Sequence, residues 1–180
     1  TNVAPRYVPG IVATARLRLA QGRFEDARDL SAAASKARPN DGVVGLLAAR
    51  VAIEQRRVAD ARKELDRWIA DPADPFEMNL LEGRLQFTRG QYTKAAGYLK
   101  RSYEMRPVHG EAAMYYAHTL TRLGEDKTAA QILLDNLSHP TWSGYAWAVL
   151  GEARRRQNKL DDAFENFRKA SNIYEKQQIA

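Results

Sequence analysis

The sequence predicts an all-α protein, an α-solenoid built from consecutive helix–turn–helix units. One observation is a spacing of 34 residues that repeats from residue 8 to residue 177 without insertion or deletion. Another is that two positions of every unit carry a small residue, which lets the two helices of a unit approach closely. Position 8 is occupied by Ala15, Ala49, Gly83, Ala117 and Gly151, and position 20 by Ala27, Ala61, Ala95, Ala129 and Ala163. Because a single helix pair cannot bury its apolar face alone, we expect the units to stack on one another.

The five units follow a lead-in segment at residues 1–7 and precede a short tail at residues 178–180. They form a single array, residues 8–177, whose units are 8–41, 42–75, 76–109, 110–143 and 144–177. In the first unit, helices are expected at about 9–21 and 25–38, separated by Gly22. The segment Pro39–Asp41 ends the second helix and caps the next one. Proline-containing turns at 71–75 and 138–141 end the second and fourth units in the same way.

The fifth unit carries the most characteristic residues. Leu150 and Gly151 follow Trp147 by three and four residues, so these side chains share one helical face. Positions 4, 7, 8, 20, 24 and 27 of this unit are Trp147, Leu150, Gly151, Ala163, Phe167 and Ala170. This set resembles the tetratricopeptide repeat (TPR), a 34-residue helix–turn–helix unit. The resemblance implies a right-handed superhelix of five TPR units, with first helices lining a concave face and second helices forming the convex outside.

Three residues depart from the TPR pattern. Arg56 stands at a corner position that the family usually fills with glycine, so the corner of the second unit is less well defined. Glu82 stands at position 7, where leucine is usual, and Leu81 or Leu85 is expected to supply the packing. Asp126 stands where a corner aromatic residue is usual. We expect these departures to alter local packing and to leave the repeat intact.

The last predicted helix carries more apolar surface than a free end of a solenoid should show. Its apolar residues are Phe164, Phe167, Ile173 and Tyr174, and no further polar helix follows Gln177 in the sequence. Solenoids need polar caps at their ends. We therefore expect either that a capping helix belongs beyond this segment or that the chain associates with another copy through this end.

Composition places the chain among ordinary globular proteins and excludes few functions. Of its 180 residues, 44% are apolar and 28% charged, and the formal net charge is +6. Cysteine is absent, which excludes disulfides and thiolate chemistry but leaves the compartment open. No apolar run reaches the roughly 18 residues of a membrane span. The prediction is a soluble protein of the bacterial cytoplasm or periplasm without membrane insertion, the bacterial origin resting only on the Ala- and Arg-rich composition.

No arrangement of residues predicts catalysis. The histidines, His109, His118 and His139, are spread over a turn, a helix and another turn, and no His-Glu-x-x-His pattern occurs. Neither a Gly-x-Ser-x-Gly elbow nor a glycine-rich phosphate loop is present. Asp161 and Asp162 lie at the start of a helix, where carboxylates interact favourably with the helix dipole. We therefore predict a non-enzymatic protein with no metal and no cofactor.

The TPR resemblance implies that ligands contact positions 2, 5, 9, 12 and 13 of the first helices. Position 9 carries an arginine ladder, Arg16, Arg50 and Arg84, followed by His118 and Glu152. Position 5 carries Val12, Leu46, Leu80, Met114 and Ala148, an apolar strip along the same face. The predicted partner-binding residues are Arg16, Arg50, Arg84, His118, Leu46, Leu80, Met114, Phe87, Arg122, Tyr145 and Arg155. The chaperone-tail clamp of the family, with lysine at position 5 and asparagine at position 9, is absent.

The leading hypothesis is a protein–protein interaction scaffold, a segment of a larger bacterial TPR protein of the kind found in envelope, pilus or exopolysaccharide-export assembly. Its partner would be a peptide or protein with apolar anchors and acidic groups, which arginine grips with its planar fork. Alternatively, the arginines pair inside the array, since Arg50 could reach Glu54 or Glu77, and Leu46 and Leu80 are buried between helices. Nucleic-acid or polyanion binding is the other alternative, but charge runs from +3 in the third unit to −2 in the fourth and forms no continuous stripe.

Overall fold

The computed structural model describes residues 7–136 and 143–179, with side chains described as far as residue 175. These residues contain ten α-helices and no strand, so the predicted all-α repeat architecture is confirmed. The helices are α1 (Val8–Ala20), α2 (Phe24–Ala37), α3 (Gly42–Glu54), α4 (Val58–Trp68), α5 (Pro75–Thr88), α6 (Tyr92–Met105), α7 (Gly110–Leu123), α8 (Asp126–Asp135), α9 (Gly144–Arg156) and α10 (Leu160–Ile179). The predicted turn at 138–141, with His139, lies outside the described residues.

Polar residues at the ends of the repeats start the next first helices. Asp41 accepts hydrogen bonds from the backbone of α3, and Asp74 does the same for α5. His109 and Ser143 cap α7 and α9 through a ring nitrogen and a hydroxyl oxygen. These side chains satisfy backbone N–H groups that have no partner inside the helix. The predicted capping role of the Pro39–Asp41 segment is confirmed by Asp41.

The corner between the two helices has the same backbone conformation in every repeat. Positive φ angles occur at Gly22, Arg56, Gly90, Gly124 and Asn158, each 34 residues after the last. Arg56, with φ of 57°, adopts the left-handed conformation that glycine occupies elsewhere. Such a conformation costs a side-chain-bearing residue roughly 1–2 kcal/mol. The second corner therefore keeps the repeat geometry despite the arginine.

The small residues of the 34-residue spacing lie at the close approaches between helices. All the alanines at positions 8 and 20 are buried, as are Gly83 and Gly151. A Cβ atom added to Gly151 would lie 2.7 Å from the ring of Phe167, so this ring of α10 occupies the space that a side chain on α9 would need. The prediction that these positions need small residues is confirmed.

Tryptophan occupies opposite helices in the second and fifth repeats. In the fifth, Trp147 lies on the first helix and Ala170 on the second. In the second repeat the sizes are exchanged, because Gly45 lies on α3 and Trp68 on α4. A Cβ on Gly45 would lie 1.9 Å from Nε1 of Trp68, so the indole fills the space that the glycine leaves open. In these two repeats the tryptophan therefore lies on opposite helices of the pair.

The chain divides into two compact units, Thr1–Arg89 and Gly90–Ala180. The first contains α1 to α5 and the second α6 to α10, so the division falls between the two helices of the third repeat. In the first unit, one apolar cluster joins α1, α2 and α3, and another joins α3, α4 and α5. In the second unit, an apolar cluster joins α7, α8 and α9. Each unit thus has its own core.

Candidate interaction surface

Two of the three ladder arginines form ion pairs between the first helices of the first unit. Nε and an Nη of Arg50 on α3 donate to the two carboxylate oxygens of Glu77 on α5 at 2.7 and 3.0 Å. Both side chains are largely buried, at 16% and 13% exposure. Arg84 on α5 is only 4% exposed and donates to Glu54 on α3 at 2.7 Å. These pairs hold α3 and α5 together from both directions.

The expectation of an apolar strip exposed in a groove is wrong for the first unit. Leu46 is 2% exposed and belongs to the cluster that joins α3, α4 and α5, and Leu80 is fully buried. Phe87, at position 12 of the third repeat, is half-buried. Burial in the core removes Leu46 and Leu80 from the surface that a partner could contact. The correction arises because α5 packs against both α3 and α4, so position 5 faces the core here.

Arg16 differs from the other ladder residues because it is exposed and has neither a hydrogen bond nor an ion pair with any described residue. The Arg50–Glu77 pair spans 27 residues. The same step from Arg16 leads to Val43, whose side chain is 40% exposed and offers no carboxylate. Arg16 therefore has no acidic residue at the spacing that places Glu77 beside Arg50.

A buried ion pair that the sequence did not predict joins α4 and α5. Glu82 on α5 is 1% exposed and accepts two hydrogen bonds from Arg62 on α4, at 2.6 and 2.9 Å. Arg62 also contacts Asp66 at 2.7 Å, and the hydrogen bond to Glu82 raises the pKa of its guanidinium. Leu81 and Leu85 supply the apolar packing, as expected. The signal in the sequence was Glu82 itself, a charge at a position where leucine is usual.

In the second unit, a neutral hydrogen-bonded pair occupies the repeat positions that the Arg50–Glu77 ion pair occupies in the first unit. His118 on α7 and Tyr145 on α9, again 27 residues apart, are joined by a hydrogen bond between the tyrosine hydroxyl and Nδ1 of the imidazole. Tyr145 also lies against Tyr115, with ring centroids 6.2 Å apart. Burial, together with the nearby charge of Arg122, lowers the pKa of His118 to about 4, against an opposing effect of Glu152. His118 is therefore uncharged near neutral pH.

Glu152 on α9 is shared between two arginines. Arg155 donates two hydrogen bonds of 2.8 Å to its carboxylate, and Arg156 donates one of 3.0 Å. The hydrogen bond from Arg155 is the main reason that the pKa of Glu152 falls to about 2. Arg156 also donates to the backbone oxygen of Thr121 at 3.1 Å, which ties α9 to α7. One negative charge thus faces two positive charges on this surface.

Arg122 on α7 lies over the ring of Tyr92, with its guanidinium carbon 4.7 Å from the ring centroid. The side chain is exposed and forms no ion pair with any described residue. Stacking on an aromatic ring fixes the plane of a guanidinium while leaving its N–H donors available. We refer to Tyr92, Arg122, Tyr145, Arg155 and Arg156, which surround His118 and Glu152, as the second-unit patch.

Met114, the position-5 residue of the fourth repeat, is half-buried beside the start of α9. The hydroxyl of Ser143 lies 3.7 Å from its sulfur. The structure thus brings together His118, Arg122, Tyr145 and Arg155 of the predicted residues in the second unit. It does not place Leu46, Leu80 or Arg84 on an accessible surface.

Among the described residues, no group of three or more His, Asp or Glu side chains is arranged to hold a metal ion. None of the described helices combines the length and the apolar character that a membrane crossing requires.

Two tetratricopeptide repeat family models match the chain, one at residues 18–85 and the other at residues 80–136. Together the matches cover well over half of the sequence, and the helix pairs and corners described above continue the same spacing. The chain belongs to the tetratricopeptide repeat family. Its fold is that of a protein–protein interaction scaffold.

Solved structures of several TPR proteins are similar to this chain. A thermophilic TPR protein from Thermus thermophilus has a TM-score of 0.76 and 18% identity, over 92% of this chain and 91% of that chain. MamA has a TM-score of 0.63 and 20% identity, over 92% and 97% of the two chains. YrrB, described as a TPR protein with an unusual peptide-binding site, has a TM-score of 0.61 and 16% identity, over 91% and 84%. At these identities the likeness concerns the fold alone. No curated protein matches the sequence.

Proposed function

We propose that this chain binds an acidic segment of a partner protein on the second-unit patch and performs no catalysis of its own. The observation that carries the proposal is Arg122, exposed and oriented by Tyr92 but without an ion pair to a described residue. A guanidinium held in this way can grip a carboxylate with two N–H donors at little cost in side-chain entropy.

The charge balance of the patch supports an acidic ligand. This surface carries three arginines, Arg122, Arg155 and Arg156, and only the last two bind the carboxylate of Glu152. His118 adds no charge near neutral pH. Tyr145 and Tyr92 provide aromatic surface between these groups, which suits the apolar part of a peptide. A carboxylate from a partner would therefore meet complementary charge and a contact for its neighbouring side chains.

The first unit is less suited to bind an acidic segment. Arg50 and Arg84 already bind Glu77 and Glu54, and a partner carboxylate would have to displace those groups. Displacement would leave a largely buried glutamate without its partner, which is costly. Arg16 alone among the ladder residues is open to a ligand, and its affinity as an exposed single charge would be modest.

The proposal is tested by selecting peptides from a random library against the chain and titrating the best one by fluorescence anisotropy. We expect selected peptides rich in Asp and Glu next to apolar residues. Arg122→Glu combined with Arg155→Glu should weaken binding roughly tenfold or more, because two attractive contacts become repulsive. Added salt should also weaken binding, since the contacts are partly exposed.

The matched control is Lys100→Glu combined with Arg168→Glu. It changes the net charge equally, at two positions that are each 60% exposed and paired with a glutamate of their own helix. Equal losses in both double variants would mean diffuse electrostatic attraction, and strong binding of a single-stranded DNA oligonucleotide with a steep salt dependence would then favour the polyanion alternative. Unchanged affinity in the patch variant would exclude the patch as the site.

A second contact, with another copy of the chain, is proposed for α10. Leu160, Phe164, Phe167 and Tyr174 follow a spacing of four, three and seven residues and are all exposed, Phe164 by 67%. Such a spacing forms a continuous apolar stripe on a helix. We expect concentration-dependent association in sedimentation experiments, reduced by Phe164→Asp. A strict monomer at high concentration would contradict this proposal.

A further inference from the structure

A cleft of about 320 Å³ lies between α8 and the end of α9, on a different side of α9 from the second-unit patch. Lys127 at the start of α8, Arg154 near the end of α9, and Lys159 just before α10 contribute the charges, and none of the lining residues is acidic. Ala130 and Leu134 form an apolar wall. The cleft therefore combines positive charge with aliphatic surface.

Arg154 is the residue that makes this cleft unusual. Its side chain is 17% exposed, almost the same as the 16% of Arg50. Arg50 has a bidentate glutamate at 2.7 and 3.0 Å, whereas the nearest carboxylate oxygen to Arg154, from Asp162, lies at 4.0 Å. Its one hydrogen bond, to the side-chain oxygen of Gln157, is 3.5 Å long. A largely buried cation normally has a close anionic or hydrogen-bonding partner, and both described contacts of Arg154 lie at the long limit for such interactions.

The other polar groups around the cleft do not supply this partner. The side-chain amide of Gln157 donates to the backbone oxygen of Asp126 at 2.8 Å, which fixes its orientation. Lys127 and Lys159 are exposed at the two sides and add positive charge. The lining thus offers an anion three cations and no carboxylate, and the nearest carboxylate to Arg154 is that of Asp162 at 4.0 Å.

We propose that this cleft binds a carboxylate side chain of a partner polypeptide, with the carboxylate on the guanidinium of Arg154 and the aliphatic carbons against Leu134 and Ala130. The volume and the apolar wall favour a ligand that joins an anionic group to a hydrocarbon segment over a small inorganic anion. This site does not depend on the second-unit patch, and either one can fail without the other.

The test uses an N-acetylated Glu-Leu-Glu peptide amide as the probe, with the Gln-Leu-Gln peptide and inorganic phosphate as comparisons. Binding is followed by NMR through the Nε–H signal of Arg154 and the side-chain amide of Gln157. We expect saturable shifts with the glutamate peptide only. Arg154→Gln should weaken its binding by roughly tenfold or more. Arg168→Gln, which alters an exposed arginine of α10 outside both proposed sites, should leave the affinity unchanged.

Because Arg154 is partly buried, a second variant protects the test against a folding defect. Lys127→Glu combined with Lys159→Glu changes only exposed side chains and should weaken the same binding while the backbone spectrum stays intact. The absence of saturable shifts in the wild-type chain would overturn the proposal. Equal shifts with the glutamine peptide, or with phosphate, would also overturn it, because the ligand would then not be recognised as a peptide carboxylate.

Discussion

The two units carry arginine on the same kind of first helix but hold it in different surroundings. In the first unit, Arg50 and Arg84 are largely buried and bind glutamates of the neighbouring first helix. In the second unit, Arg122 and Arg155 are exposed, and only Arg155 has a carboxylate partner among the described residues. The same residue type thus stabilises the repeat stack in one unit and provides a charged surface in the other.

The difference follows from the residue that lies 27 positions after position 9. After Arg50 this residue is Glu77, which neutralises the arginine across α3 and α5. After His118 it is Tyr145, which forms a neutral hydrogen bond and supplies no carboxylate to the arginines nearby. Whether an arginine in a helical repeat is available for a ligand therefore depends on the next repeat as much as on its own.

The largest effect is expected at the ion pair inside the first unit. Arg62→Ala leaves the carboxylate of Glu82 buried without a partner, and we expect the free energy of unfolding to fall by about 3–5 kcal/mol. Chemical denaturation measures this loss, with Lys63→Ala on the exposed side of α4 as a control within about 0.5 kcal/mol of wild type. The double variant Arg62→Met with Glu82→Leu should recover most of the stability, since both charges are then removed. A small loss in Arg62→Ala would show that Glu82 is reached by water.

Charge reversal distinguishes the two units directly. Arg50→Glu places a second carboxylate against Glu77, and we expect a loss of about 2–4 kcal/mol in the free energy of unfolding. Arg122→Glu, at an exposed site, should change stability by less than about 1 kcal/mol. Similar losses for both variants would mean that the proposed division between structural and accessible arginines is incorrect.

The exchanged tryptophan gives a packing test of the first unit. Gly45→Ala forces a methyl group into the indole of Trp68 and should destabilise the chain by about 1–3 kcal/mol. Gly97→Ala, on α6 of the second unit, adds a methyl group with nothing within 4 Å and should stabilise it by about 0.5–1 kcal/mol. The same Gly→Ala substitution should therefore lower the melting temperature at Gly45 and raise it at Gly97. A neutral Gly45→Ala would mean that the indole can move aside freely.

His118 should make the second unit sensitive to acid. Its pKa is about 4 in the folded chain against an ordinary value of 6.5, so the unfolded chain takes up a proton that the folded chain refuses. Stability from this residue is complete above pH 6.5 and declines as the pH falls towards 4. Comparison of wild type with His118→Gln by denaturation across this range should show a flatter profile in the variant. Parallel profiles would contradict the lowered pKa.

Much of the fold could be predicted from the sequence because small residues recur where helices cross. The corner at Arg56 looked doubtful, but a backbone conformation imposed by both flanking helices outweighs the preference of one residue. The site was harder to predict. Position 9 predicted Arg50 as a partner-binding residue. The sequence did not show whether Arg50 pairs with Glu54 on its own helix or with Glu77 on the next first helix. The partner of Glu82, 20 residues earlier on another helix, has no local sequence signal.

The most direct test of the account maps the selected acidic peptide onto the isotopically labelled chain by NMR. The account predicts that the largest shifts fall on α7 and α9, at the backbone of Arg122, Tyr145 and Arg155, and that they disappear in the Arg122→Glu, Arg155→Glu variant. The backbone signals of α3 and α5 around Arg50 and Arg84 should remain in place. Shifts centred on α3 and α5 would contradict the assignment of binding to the second-unit patch.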